Sequence, residues 1–268
     1  PSFDFPGFLL AGASILAIMA LVETSVLAGQ PASLRLAGIA AALLLTVIYV
    51  RQALCTDEPI VDFRMLRLGS FRWSLVATWL HRTAMGGILV LLPLQLQIGL
   101  GHGPLVSSQV MVCAAVGSVL SRFVCPKVIR LLGFRRMMLS FGALTACLSL
   151  IPTSFGLATP LMLMGGIMMV HATIRAAFFM AGNTLIYCDV DGEEIGHASV
   201  LFAMSQQLSL GLGYSLATTI LEAAGGPHVL SAFTWAYAGM VLLQVAGTLA
   251  IVPLSARAGE NMRQSASA

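Results

Sequence analysis

Apolar residues run through this chain in blocks of about twenty, separated by short clusters of charge, proline and glycine. A run of about 20 apolar residues is what a helix needs to cross the hydrocarbon core of a bilayer, and eight such runs stand out: 7–28, 34–51, 73–97, 106–125, 137–156, 160–183, 199–222 and 229–253. The runs are continuous and lack the alternation of period two that marks a transmembrane barrel, so the pattern predicts an all-α, polytopic membrane protein with eight transmembrane helices. Turn signals fall between the runs: Asp4-Phe5-Pro6-Gly7 opens the first and Gly29-Gln30-Pro31 closes it. Pro104, Pro152, Pro160 and Gly225-Gly226-Pro227 punctuate later ones.

Residues 58–70 break the pattern. They are too short and too charged to cross, and Ile60, Phe63 and Leu66 interleave with Arg64 and Arg67, which suits a short amphipathic helix at the inner membrane interface. The division expected from this is two linking helices over 1–52, a cytoplasmic interfacial connector over 53–72, a six-helix bundle over 73–253 and a cytoplasmic tail over 254–268.

Composition strengthens the reading. Of 268 residues 58% are hydrophobic and only 9% charged, with a mean hydropathy of +0.92, whereas a soluble domain devotes about a quarter of its residues to charge. The net charge of +3 comes from basic residues placed between apolar runs, which argues for a topology signal and against a nucleic-acid partner. Taking alternate loops, one set holds Arg51, Arg64, Arg67, Arg72, Arg122, Lys127, Arg130, Arg135, Arg136, Arg257 and Arg263, and the other only Arg35. The excess of Lys and Arg on the cytoplasmic side predicts that both ends of this chain face the cytoplasm. The start at Pro1, without Met or a basic leader, suggests part of a longer chain without a signal peptide. Five cysteines without a CxxC pair predict neither a disulfide framework nor a zinc site, no cofactor is expected, and Asp189–Glu194 lacks the ligand spacing of a calcium loop.

Ionisable groups at membrane depth are costly and therefore functional candidates. His81 and Arg82 fall inside the third run; His171 and Arg175 lie deep in the sixth, where Asn183 and Tyr187 continue the same half of the helix circumference. In the seventh run Gln207, Gly211, Tyr214 and Thr218 form a narrow polar stripe, expected to face the bundle interior. Arg82, Arg175, Gln207, Tyr214, His171 and Asn183 are thus the candidate substrate or pathway residues, against the alternative that each ties one helix to another. Glu23 and Glu222 sit near the outer ends of their runs and make weak proton relays. Small residues four apart, Ala114 with Ser118, Gly117 with Ser121 and Gly142 with Ala146, predict close helix packing. No nucleophile elbow, P-loop or HExxH motif appears, so an enzyme is not expected.

Several segments carry a resemblance. Asp4-Phe5-Pro6-Gly7, Glu58-Pro59-Ile60-Val61-Asp62 followed by Phe71-Arg72, and Leu91-Leu92-Pro93-Leu94-Gln95-Leu96-Gln97 are similar to the fourteen-helix drug:proton antiporter branch of the major facilitator superfamily. Leu132-Gly133-Phe134-Arg135-Arg136, Arg175 with Phe179, Asn183 and Thr184, His197-Ala198-Ser199 and Ser205-Gln206-Gln207-Leu208-Ser209 extend it over essentially the whole chain. The resemblance implies that the first two spans are the branch's extra pair and the last six its C-terminal bundle. It further implies proton-coupled efflux of drugs or other amphipathic small molecules across a bacterial inner membrane by alternating access, the partners being the substrate, the proton gradient, the bilayer and an N-terminal half missing from this sequence. The acidic residue expected in the loop after the fourth span is absent: Arg130-Leu131-Leu132-Gly133 stands there. Basic rather than acidic charge at depth favours anionic or neutral substrates. The competing readings are a non-transporting membrane scaffold or inactive transporter remnant and, behind it, an intramembrane enzyme.

Overall fold

A computed structural model describes residues 32–55, 67–188, 190 and 195–254, together with a few positions between 7 and 17. Among the described residues the elements are helices, with no strand. They are α1 (Ala32–Cys55), α2 (Gly69–Leu94), α3 (Pro104–Leu132), α4 (Phe134–Leu148), α5 (Leu161–Ile186), α6 (Ile195–Ala223) and α7 (Leu230–Leu249). The predicted second to eighth runs each find a helix. The first run, most of the 58–70 connector, Glu23, the 189–194 loop and the 255–268 tail lie largely or wholly outside the described residues.

Among the described residues, five helical stretches are long and apolar enough to cross a membrane: Gly69–Gly99, Pro104–Leu132, Phe134–Ser154, Leu161–Ile186 and Leu230–Leu249, with Ala40–Gln52 a shorter apolar piece. Helix α6 has the length, 29 residues, which at about 1.5 Å per residue is roughly 43 Å. Gln206, Gln207 and the glycines and serines around them make it the more polar span.

Boundaries shift where local chemistry overrides hydropathy. The fourth run was expected to stop at Cys125, but α3 continues through Pro126 and the basic Lys127 and Arg130 to Leu132. It stops only at Gly133, whose φ of 75° and ψ of 165° reverse the chain in one residue before α4 begins. The left-handed φ there suits glycine, which lacks the Cβ that penalises other residues. In α2, Pro93 has no N–H to offer the preceding turn, and two residues later the helix widens into a π turn over Gln95–Gly99. The Gln95 side chain, buried there, donates from Nε2 to the Pro152 carbonyl at 2.7 Å and so ties α2 to the 3-10 turn Ile151–Ser154 that follows α4.

Packing divides the helices into inner and lipid-facing ones. In the most apolar stretch of α2 61% of residues are buried inside the protein, against 17% for α3. Helix α2 packs along α6, α7 and α5, while α3 lies chiefly on α5, turning Ser107, Val110, Gly117, Ser121 and Cys125 inward. The exposed side of α3 shows Leu105, Val112, Val119, Leu120 and Phe123, the apolar surface a lipid environment favours. Of the small-residue pairs expected to pack, Gly117 with Ser121 and Gly142 with Ala146 are buried; Ala114 and Ser118 are half-buried beside them.

Close backbone approach, worth dispersion contact along the whole crossing, occurs at two places. Where α2 meets α6, a Cβ on Gly86 would collide with the Leu210 carbonyl and one on Gly213 with the Thr83 carbonyl. Where α3 meets α5, Gly117 lies against the backbone of Met169, and Thr173 Oγ1 donates to the Gly117 carbonyl at 2.9 Å. Large side chains fill the remainder: Phe134, Met137, Met138, Phe178 and Leu185 in one cluster, and Ile88, Leu91, Phe233, Tyr237 and Met240 in another.

Candidate functional site

Neighbouring residues of a helix point about 100° apart, and this separates His81 from Arg82. His81, 1% exposed, turns toward α7 and α5: its Nε2 lies 3.0 Å from Thr248 Oγ1, and its ring stacks on Phe178 at 4.1 Å between centroids. The Thr248 hydroxyl donates its own proton to the Gln244 carbonyl at 2.8 Å, so the imidazole N–H is the donor in the His81–Thr248 bond.

His171 repeats this arrangement on α5. It is 1% exposed, its Nε2 is 3.0 Å from Ser149 Oγ, and that hydroxyl donates to the Thr145 carbonyl at 2.8 Å. Both rings therefore carry a helix-to-helix bond, α2 to α7 and α5 to the end of α4. For His171, a candidate pathway residue by sequence, the geometry provides a packing role.

The arginines are placed differently. Arg82 lays its guanidinium over the Phe179 ring at 4.5 Å from the centroid, a cation–π contact between α2 and α5. Its Nε is sealed from solvent without a hydrogen-bond partner. Arg175 sits one turn before Phe179 on α5, where residues four apart are neighbours, and is 8% exposed. It is the fifteenth of 26 residues in α5, roughly 21 Å along it at 1.5 Å per residue. Arg82 and Arg175 thus bring charge from two helices to the Phe179 stretch of α5. Among the described residues neither arginine forms a salt bridge; the one acidic side chain described, Glu222, is exposed at the far end of α6. Asn183, two turns beyond Arg175, is half-buried, and its Oδ1 is enclosed and unpartnered. Periodicity places Arg175 and Asn183 on one half of α5; that Arg82 of another helix reaches Phe179 between them is not readable from a single helix.

Gln207 and Tyr214 lie elsewhere. Gln207 is exposed and Tyr214 is 40% exposed, while Ser209, Gly213, Ala217 and Leu221 form the inward face of α6. The polar stripe, expected to face the interior of the bundle, runs along the open side of the described helices, because the close α2–α6 crossing claims the glycine face. Thr218 Oγ1 donates to the Tyr214 and Ser215 carbonyls, each at 3.0 Å, and is occupied within its own helix.

Sequence reasoning passed over one residue. Gln244, on α7 beside the Thr248 hydroxyl, is fully buried with neither amide atom partnered among the described residues; a lone Gln in an otherwise apolar run was the available signal. Among the described residues, no three His, Cys, Asp or Glu side chains gather where they could hold a metal ion.

No family model matches the chain. Among curated proteins, it is 26% identical over 230 residues to a protein of Salmonella heidelberg (strain SL476) named "Putative multidrug resistance protein MdtD", an alignment covering 85% of this chain and 48% of that protein. Its counterpart of the same name in Cronobacter sakazakii (strain ATCC BAA-894) is 27% identical over 251 residues, 90% of this chain and 53% of the relative. The chain thus spans about half the length of the curated relatives it matches. Together with the apolar helices these relatives support an integral, multi-pass membrane protein, and the resemblance drawn from the sequence is matched by them: the chain is similar, over most of its length, to proteins named for multidrug resistance.

Proposed function

We propose that this chain is the C-terminal part of a secondary active transporter that exports drugs or other amphipathic small molecules, driven by the proton gradient. The observation that carries the reading is the similarity to multidrug resistance proteins along 85–90% of the chain. A supporting one is that Arg82 and Arg175 hold charge deep in the span region without an acidic partner among the described residues. Such groups face protein or a water-filled path, since lipid would not tolerate them. Alternating access would rock these six helices against an N-terminal half outside this sequence, with Arg82, Arg175 and Asn183 on one wall of the path and Gln207 and Tyr214 on another. The basic clusters at 51–72 and 122–136 assign those loops, and with them both chain ends, to the cytoplasmic side of a bacterial inner membrane.

The decisive experiment is to express the full-length protein in a drug-sensitive bacterial strain and follow accumulation of a fluorescent amphiphile with and without a protonophore. Protonophore-sensitive lowering of accumulation supports the proposal. Accumulation equal to that of the empty strain, with the protein inserted in the membrane, refutes it and favours the reading as a non-transporting scaffold or remnant. Chain length is tested separately: an antibody against residues 254–268 reports whether the native polypeptide exceeds the 28.2 kDa of this sequence.

A further inference from the structure

We propose that Arg82 and Arg175, with the Phe179 ring beside them, form a subsite for the anionic group of the transported molecule, an aromatic or otherwise apolar compound ending in a carboxylate. The proposal rests on the reading of this chain as part of a transporter path and names the class of substrate for that path.

Three observations converge on it. Two guanidinium groups from different helices come to one stretch of α5, Arg82 lying over the Phe179 ring and Arg175 standing one turn before that ring on the helix, an arrangement that costs free energy unless a negative charge joins them. Arg175 is more than nine-tenths buried and no hydrogen bond joins its guanidinium to a described residue, while the Nε of Arg82 is an enclosed donor without a partner among those residues. Arginines at membrane depth pair with acids or backbone carbonyls; Arg135 at the end of the bundle donates from Nη2 to the Val252 carbonyl at 2.8 Å, although its Nε, like that of Arg82, is enclosed without a partner among the described residues. Arg82 spends its cation on Phe179 instead, which leaves the N–H edges of both forks for a ligand. A carboxylate matches a guanidinium fork with two oxygens, and a flat apolar body would find Phe179 next to it.

The same negative charge could come from a carboxylate of the protein's other half. The test therefore compares 2-naphthoate with 2-naphthylmethylamine, which share the ring system and differ in the sign of the charge. Binding of each to the purified full-length protein is measured by isothermal titration in nonionic detergent, for wild type and for Arg175→Gln, Arg82→Gln and Arg175→Lys, with monodispersity checked by size exclusion.

The expected result is at least tenfold tighter binding of the naphthoate by wild type, loss of that preference in Arg175→Gln and Arg82→Gln, and its partial return in Arg175→Lys. Equal binding of the two probes, tighter binding of the amine, or a preference unchanged by Arg175→Gln overturns the proposal. Where the glutamine variants do not fold, Arg175→Lys decides: naphthoate affinity at least threefold weaker with the preference retained upholds the subsite, and unchanged affinity overturns it. Failure to bind naphthoate while Arg175→Gln lowers the melting temperature of the ligand-free protein assigns the arginines to an internal carboxylate and also overturns it. Protonophore-sensitive export of a neutral amphiphile is followed in parallel. If Arg175→Gln abolishes that export without altering charge preference, the path reading stands and the anion subsite falls; if it alters neither, Arg175 lies off the path and both fall.

Discussion

Substitution of Gly213 by alanine adds one methyl group at the place where α2 and α6 come closest. That methyl would collide with the Thr83 carbonyl and lie 3.0 Å from the Gly87 amide nitrogen, and both obstacles are backbone that cannot swing aside as a side chain can. One turn away, Gly86 is closed in the same manner by the Leu210 carbonyl, so tilting α6 about Gly213 meets a second contact. Relief requires the helices to part by roughly an ångström, and overpacking of this kind costs about 1–3 kcal/mol. At about 2–4 °C per kcal/mol for a chain of this size, the full-length variant in detergent should melt several degrees below wild type. Gly166→Ala is the internal control: it lies inside α5 with nothing within 4 Å of its added Cβ, and removing glycine's backbone freedom there is neutral or stabilises by up to about 1 kcal/mol. Thermal unfolding followed by intrinsic fluorescence or by static light scattering reads the difference between the two variants. If Gly213→Ala melts at or above the temperature of Gly166→Ala, the close α2–α6 crossing is not a feature of the folded protein, and the outward placement of the Gln207–Tyr214 stripe that depends on it falls too.

Other consequences are open to measurement. Tyr237 keeps a fully buried hydroxyl without a partner, so Tyr237→Phe should leave the melting temperature unchanged or raise it, an unpaired buried polar group costing about 1–3 kcal/mol; a fall of several degrees would mean that the hydroxyl has a partner. Thr248→Val deprives His81 of its acceptor and should destabilise by a similar amount, with His81→Phe in the Thr248→Val background recovering part of the loss because the ring can still stack on Phe178. In a background without native cysteines, Gln207→Cys and Tyr214→Cys should react with a hydrophilic maleimide faster than Ser209→Cys, whose position is fully buried, and equal rates for all three would place the stripe away from water. Sided labelling in intact cells should leave a cysteine at Arg136 unmodified by an impermeant reagent and modify one at Gly226; the reverse pattern would invert the topology.

The arrangement of elements was largely written in the sequence, because a span declares itself by local hydropathy alone: the helices at 69–99, 104–132, 161–186 and 230–249 need no tertiary information. Ends were less legible. Lys127 and Arg130 look like the end of a span, yet a helix can continue into the interface with its charged side chains reaching water, and only the positive φ at Gly133 stops α3. The candidate site was readable by composition and opaque in geometry. Arg82 and Arg175 stand out as charges in apolar runs, but their meeting across Phe179 depends on which faces α2 and α5 present to each other, a property of two helices at once. The stripe on α6 was recognised as polar, but hydropathy ranks faces by polarity alone and gave no sign that the smaller glycine face would take the close contact with α2, leaving Gln207 and Tyr214 on the open side of the described helices.

The joint at Gly133 leaves no slack between α3 and α4: a single residue serves both as the end of one helix and the start of the next. Helix α3 is held mainly by α5 and otherwise faces outward, while α4 is braced against α5 and α7, with Arg135 clasping the carbonyl of Val252 just past the end of α7. The pair therefore works as a crank. A swing of the outer helix moves the residue from which the inner one starts, and Arg135, two residues further on, is bonded to the chain just beyond α7.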